Sequence, residues 1–266
     1  MIPKIIHYCW FGGNPLPELA QRCIASWREF LPDYEIREWN ETNYDVRKIP
    51  YTAQAYDAKK YAFVSDYARF DILYQHGGIY FDTDVEMIRP LDDILERGAF
   101  IGVEQGRTPL LNAGLGIASP AASQIYSEIL DSYQDEQFVR ADGSLNLKTV
   151  VLRVSEIFKR HGFVEEDRIQ FVAGTTVYPS EYFCPKNPDT GEIAITEHTY
   201  AIHHYDGSWV SPYYKELNPH LTPIYRRFGE NLFSRILVII YAGYYRIKKT
   251  GIKNTFMHYF KERNKQ

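Results

Sequence analysis

Two carboxylates separated by a single residue, Asp82-Thr83-Asp84, stand at the end of the apolar run Ile79-Tyr80-Phe81. Side chains alternate along an extended chain, so a strand continuing through the triplet would point Asp82 and Asp84 to one side. Two carboxylates that close repel each other unless a positive charge lies between them. A divalent cation is the natural partner: oxygen ligands suit Mg²⁺ or Mn²⁺, and such ions keep waters and bind substrate phosphates. The cation would bridge to a diphosphate and stabilise it as a leaving group. Asp-X-Asp by itself is common on surface loops. Its weight here comes from its place at the C-terminal end of a strand, where open α/β sheets put their ligands. Upstream, Asp66 and Arg69 stand three residues apart, hence on one face of a helix. Alone they read as a surface ion pair worth about 0–1 kcal/mol. Beside a ligand, Arg69 would meet a phosphate or a sugar hydroxyl and Asp66 would take hydroxyls.

The elements that must position these groups can be read from the apolar spacing. Lys4–Trp10 reads as a buried strand broken by Phe11-Gly12-Gly13-Asn14-Pro15. Leu19, Cys23 and Trp27 recur at about one turn, which predicts a helix over Pro17–Phe30. Tyr34–Trp39 alternates with period two, as a strand does. Tyr61–Gln75 carries helical spacing and stops at Gly77-Gly78. Further strands are expected at Phe100–Val103 and Leu110–Ala118, and helices at Ala121–Tyr133 and Leu147–Arg160. Residues 170–204 read as strands and loops. Strand, Gly-rich turn, helix, strand is the opening of a nucleotide-binding α/β layout.

Composition sets outer limits. A chain of 266 residues, 45% hydrophobic and 24% charged, is that of a soluble globular protein with one large α/β domain or two small ones. Its 22 tyrosines suit an aromatic core or a surface that stacks on sugars and bases. Cys9, Cys23 and Cys184 match neither a zinc spacing nor a disulfide framework, which points to a reducing compartment. The N-terminal residues do not read as a signal peptide, and no apolar stretch reaches the ~20 residues a spanning helix needs. Charge is uneven: residues 225–266 hold ten Lys or Arg and two Glu, a local +8 in a chain of net charge −4, so the rest carries −12.

The run Ser65-Asp66-Tyr67-Ala68-Arg69-Phe70-Asp71-Ile72-Leu73-Tyr74-Gln75-His76-Gly77-Gly78-Ile79-Tyr80-Phe81-Asp82-Thr83-Asp84 resembles the DXD sugar-binding region of Och1-like glycosyltransferases. That group includes fungal mannosyltransferases and bacterial capsular polysaccharide enzymes, and is distantly similar to the glucosyltransferase domains of clostridial toxins. Ile2 to Gly13 and His203 to Trp209 match the same family in the same order. The resemblance implies an α/β fold of GT-A type, a Rossmann-like nucleotide-sugar-binding domain with a mixed central sheet over 1–224. A C-terminal helical extension, a basic amphipathic tail, would follow over 225–266. It implies retention of anomeric configuration and a Mn²⁺ or Mg²⁺ cofactor. Trp10 would lie against the nucleotide base, where the plainer reading is a core Trp. Asp66 and Arg69 would hold the donor sugar, and Tyr80 would line the pocket. Asp82 would approach the ribose or the metal, and Asp84 would ligate the metal directly. Asn112 and Ala113 would contact sugar or ribose. Gly207, Ser208 and Trp209 would close over the diphosphate. A third metal ligand is expected near His203-His204. Adjacent strand residues face opposite ways, so one of the two points inward; His204 is the expected ligand and His203 packing, with Asp206 the alternative. One departure falls on the acceptor side: Lys148-Thr149-Val150-Val151 stands where relatives often carry Gly-Pro.

The expected function is retaining transfer of a hexose from a nucleotide-sugar, UDP-linked in preference to GDP-linked, to a glycan or lipid-linked glycan in surface polysaccharide synthesis. The rivals are a metal-dependent nucleotide-sugar hydrolase or phosphotransferase, a GDP-mannose-dependent mannosyltransferase, and a lectin-like binder. Glu104 is a weak candidate nucleophile, and a front-face route needs none. Nucleic acid is not an expected partner. The expected location is cytoplasmic, with the tail's Leu232–Tyr245 stretch and the basic residues Arg246, Lys248, Lys249 and Lys253 either meeting the inner face of the membrane or docked on the catalytic domain.

Overall fold

The computed structural model describes residues 1–251 except 107, 208–211 and 229–230. The chain runs β1 (Ile5–Cys9), α1 (Glu18–Phe30), β2 (Glu35–Trp39), α2 (Pro50–Asp57), α3 (Tyr61–His76), β3 (Gly78–Tyr80), β4 (Val85–Met87), α4 (Asp92–Leu95), β5 (Phe100–Glu104) and β6 (Leu110–Ser119). It continues through α5 (Gln124–Asp131), α6 (Val150–Arg160), β7 (Gln170–Val172), β8 (Thr175–Tyr178), α7 (Ser180–Phe183), β9 (Ala201–His203), α8 (Pro212–Phe228) and α9 (Leu232–Thr250). Among the described residues, seven strands form one sheet in the order β2-β1-β3-β6-β5-β8-β7, and β4 pairs with β9 in a second. β2, β1 and β3 are parallel, β6 is antiparallel to both β3 and β5, and β8 is parallel to β5. The expected α/β class with a mixed central sheet and helices at the C-terminal end is what the chain forms.

Two buried clusters account for the layering. One gathers Val64, Ala68, Phe70, Ile117, Ile129 and Phe158 from α3, β6, α5 and α6. The other gathers Ile24, Trp27, Ile79, Leu115 and Phe183 from α1, β3, β6 and α7, with Phe81 just past the end of β3. Ile79 and Tyr80 are neighbours in β3 yet fall in different clusters, as strand alternation requires. α3 is buried along most of its length, so it is a core helix and not a surface one. It ends at Gly77 (φ +64°), and Gly78 (φ +106°) starts β3. A Cβ on Gly78 would lie 2.7 Å from the Ile5 carbonyl, so only glycine lets β3 approach β1 here.

The chain divides into two compact units, residues 1–187 with 193–209, and residues 188–192 with 210–266. α8 therefore joins α9 in the second unit, and the division falls ahead of residue 225. The reason is structural: Pro212 opens a helix that pairs with α9, two prolines inside it notwithstanding. α2 was not expected from spacing; a proline at its first turn starts it.

Candidate functional site

The triplet does not continue the strand. β3 stops at Tyr80, and the Val85 N–H returns to the Asp82 carbonyl (3.1 Å), closing a turn across Asp82-Thr83-Asp84. The expectation that the two carboxylates share a side through strand alternation is thereby corrected: the turn gives each its own surroundings. Asp82 is fixed by its N–H on the Gly114 carbonyl (3.0 Å). A Cβ on Gly114 would lie 2.1 Å from Asp82 Oδ2, so β6 supplies a bare backbone for this carboxylate to rest on.

Arg69 braces two carboxylates. Its Nη2 donates to Asp66 Oδ1 at 2.9 Å and lies 3.2 Å from Asp82 Oδ1. Its Nε donates to the Ser65 carbonyl at 3.1 Å. The Tyr80 hydroxyl donates to Asp82 Oδ1 (3.1 Å), and the guanidinium sits 4.9 Å from the centre of the Tyr80 ring. With its side chain only 3% exposed, Arg69 is no surface ion pair; Asp82, 31% exposed, is the member that meets solvent. Burial lifts the Asp66 carboxyl to about 6; Arg69 works against this and the Asp82 charge adds to it. The first turn of α6, capped by Thr149, also reaches Asp66 through the Val150 N–H.

Asp84 has a different set of partners. His203 Nε2 stands 3.3 Å from its Oδ1, and the Asp206 N–H donates to its Oδ2 at 2.8 Å. Burial opposes its charge, but His203 and the Asp206 N–H outweigh burial and hold the carboxyl down to about 2. His203 moves in the reciprocal direction: burial works against its proton, and Asp84 raises it well above the usual range. Its ring lies 4.4 Å from Tyr205, and its Nδ1 has no hydrogen-bond partner among the described residues. Tyr205 holds a left-handed backbone (φ +57°).

The structure places His203, and not the expected His204, beside Asp84. His204 Nε2 pairs with Glu86 Oε2 at 2.6 Å, not with the triplet, while His203 is the one at Asp84. The cause is register: β4 and β9 pair Val85 with His203, so His204 and Glu86 share a face, while the turn swings Asp84 to the other. Asp206 reaches Asp84 through its backbone N–H. Lys186 escaped the sequence reading, and Glu104, considered there only as a nucleophile, has a partner that spacing did not show. Lys186 donates to the His204 carbonyl at 2.7 Å; burial lowers its pKa and the Asp84 charge opposes the shift. Glu104 accepts from Asn112 Nδ2 at 2.9 Å, and burial raises its carboxyl while His203 and Asn112 oppose. Asn112 Oδ1 in turn accepts from the Gly114 N–H at 2.7 Å.

Of the remaining expected residues, Ala113 has its side chain fully buried in the α3-side core, so any contact it makes with a ligand is through its backbone. Trp10 is half-buried, packed on the other core, with its Nε1 donating to the Asn14 carbonyl at 2.6 Å. Gly207 adopts φ +60°. Ser208 and Trp209 lie outside the described residues.

The donor set suits a hard divalent cation. Asp82 and Asp84 offer carboxylate oxygens within one turn, Asp84 is held ionised, and Mg²⁺-like ions take one or two protein carboxylates and complete their shell with water and phosphate. Among the described residues no group of three or more His, Cys, Asp or Glu is arranged as a full cage.

Residues 17–101 match the family described as "glycosyltransferase sugar-binding region containing DXD motif", and the chain carries that region with Asp66, Arg69, Tyr80, Asp82 and Asp84 inside it. Inositol phosphoceramide mannosyltransferase 3 of Schizosaccharomyces pombe is 36% identical over 104 residues, 38% of this chain and 29% of that protein. An uncharacterized glycosyltransferase of Acanthamoeba polyphaga mimivirus is 34% identical over 110 residues, 38% of this chain and 42% of that one. The match thus spans less than half the length of these relatives. Among solved structures, the PaToxG glycosyltransferase aligns at 17% identity and TM-score 0.45 over 60% of this chain and 69% of that one. Mouse xyloside xylosyltransferase 1 aligns at 11% identity and TM-score 0.47 over 78% of this chain and 99% of that one.

Proposed function

We propose that this chain is a retaining glycosyltransferase of GT-A type that takes a hexosyl group from a nucleotide-sugar and passes it to a glycan or lipid-linked hydroxyl. The observation that carries the reading is the Asp66–Arg69–Tyr80–Asp82 cluster beside Asp84, all inside the matched sugar-binding region. Asp66 and Asp82, braced by Arg69, accept hydrogen bonds from the donor sugar and ribose hydroxyls. Arg69 acts chiefly by keeping both carboxylates ionised and in place. Trp10, at the C-terminal end of β1, offers its ring to the base. Asn112, oriented by Glu104 and Gly114, presents its amide to the sugar. A divalent cation held by Asp82 and Asp84 would supply positive charge against the departing diphosphate. Lys186, near Asp84, adds a protein cation for the same oxygens.

The donor expected from the sequence is a UDP-sugar. The relatives named as mannosyltransferases favour a second reading, GDP-mannose. A thermal-shift screen of UDP and GDP with Mn²⁺ separates the two, since only the cognate nucleotide should raise Tm by several degrees. Turnover of a nucleotide-sugar panel, with and without glycan acceptors, tests the reaction. Transfer that depends on an acceptor supports it; fast release of free sugar without one favours a hydrolase. No metal-dependent binding of either nucleotide would leave only a carbohydrate-binding role.

A further inference from the structure

α9 leaves an apolar face bare. Leu232, Ile236, Ile239, Ile240, Tyr244 and Ile247 are 40% to 74% exposed. Their spacing of three and four places them on one stripe of the helix. The opposite face is the one that packs within the second unit. The Tyr213 hydroxyl donates to the Ala242 carbonyl (3.2 Å), and the His220 ring of α8 meets Tyr241 at 6.0 Å and Tyr245 at 5.4 Å. Pairing with α8 therefore does not cover the stripe. The helix itself is well formed: Asn231 and Ser234 make a reciprocal capping box at its start, and Gly251 (φ +79°) ends it.

Charge decides what covers this face. α9 contains no Asp or Glu. Arg235 stands one turn before Ile239 on one border of the stripe, and Lys248 stands one turn after Tyr244 on the other. A second copy of the chain would bring these like charges together with no acid on either helix to pair them. Anionic phosphates, by contrast, would meet both basic borders while the apolar centre enters the acyl boundary. Among the described residues no helix is long and apolar enough to cross a membrane, so the geometry is that of a helix lying in the interface.

We propose that the α9 stripe is a docking surface for an anionic lipid bilayer. The inference does not depend on the transfer reaction and can hold whether or not that reading does. The test floats the full-length chain with vesicles of phosphatidylcholine alone and of phosphatidylcholine with phosphatidylglycerol. Binding is expected to the anionic vesicles, weaker at high salt because surface attraction is screened. Ile236→Asp combined with Ile240→Asp should lower the partition coefficient at least ~10-fold, since charge replaces buried methylenes. Arg235→Glu combined with Lys248→Glu should remove the preference for anionic lipid. All four positions lie off the α8-facing side, and an unchanged far-UV spectrum confirms that each variant is folded. The proposal is overturned if the native chain binds neither vesicle, if it binds both equally, or if the isoleucine variant binds as the native chain does. It is equally overturned if sedimentation velocity shows a dimer that the isoleucine variant dissociates and vesicles do not compete for.

Discussion

Arg69 serves two carboxylates with one guanidinium, and the chemistry of the site follows from that shortage of positive charge. Removing it in Arg69→Ala leaves Asp66 buried beside Asp82 with no cation between them, a loss expected to cost about 3–5 kcal/mol. Urea denaturation should show the fall in midpoint, and Arg69→Lys should recover only part of it, because an ammonium cannot hold both acids in a planar fork. Asp84→Asn tests a different function. It keeps the shape of the side chain and removes the charge, so metal-dependent turnover should fall at least ~100-fold. Tm should fall as well, because the buried pair with His203 is lost, and turnover is therefore compared well below the Tm of the variant. Survival of near-native turnover in that variant would remove Asp84 from the metal site. Glu104 belongs with Asn112. Glu104→Gln keeps the size but can turn a donor toward the Asn112 amide, so kcat/KM should fall ~10-fold or more, and Asn112→Ala should give a similar loss. Equal losses in the single and double variants would show that the two act as one unit.

At the scale of elements, what could be read from the sequence was what is set locally. β1, α1, β2 and α3 follow apolar periodicity with their ends within a residue or two, and Gly77-Gly78 marks the stop between α3 and β3. The ion pair at Asp66 and Arg69 follows from helical spacing. What could not be read is set at long range. The choice between His203 and His204 depends on pairing between β4 and β9, more than a hundred residues apart in sequence, and on a turn that breaks the alternation assumed across the triplet. Glu104 and Lys186 reach the site only through the sheet and through the loop after α7. Sequence spacing carries no signal for such contacts.

β1 also carries a pH-sensitive device. The fully buried His7 accepts from Trp39 Nε1 on its Nδ1 (3.0 Å) and donates from Nε2 to the Gly77 carbonyl (2.9 Å). A proton on Nδ1 would face another N–H, so only the neutral ring fits. Burial lowers its pKa to about 4, against the help of Gly77. Because the folded pKa lies below the unfolded value of 6.5, the unfolded chain binds the extra proton first. Stability is complete above pH 6.5 and falls as pH drops toward 4, by about 3 kcal/mol in all. Asp66, raised to about 6, slopes the opposite way over part of this window, so the comparison must be between native chain and variant. His7→Gln can keep both hydrogen bonds without titrating. Denaturation midpoints at pH 7 and pH 4.5 should differ more for the native chain than for this variant; equal differences would exclude His7 as the source.

At the scale of the molecule, the two compact units are unequal in what they bury. The first has cores on both faces of a seven-stranded sheet, whereas the second, among the described residues, rests on the pair α8 and α9, with the apolar stripe of α9 open to water. A short helical pair with so little apolar burial is expected at the low end of the local stability range. Unfolding should then be seen differently by different probes. The chain's four tryptophans all precede residue 210, while α8 and α9 contribute helix and tyrosine. Far-UV circular dichroism should show an early loss of helix that tryptophan fluorescence does not follow, and coincident transitions would mean that the chain unfolds as one cooperative body. Anionic vesicles sharpen the test. A surface that binds only the folded α9 adds stability in proportion to the logarithm of lipid concentration over its dissociation constant. The early transition should therefore move upward with phosphatidylglycerol vesicles while the tryptophan-detected one stays. In the variant carrying Ile236→Asp and Ile240→Asp, neither should move.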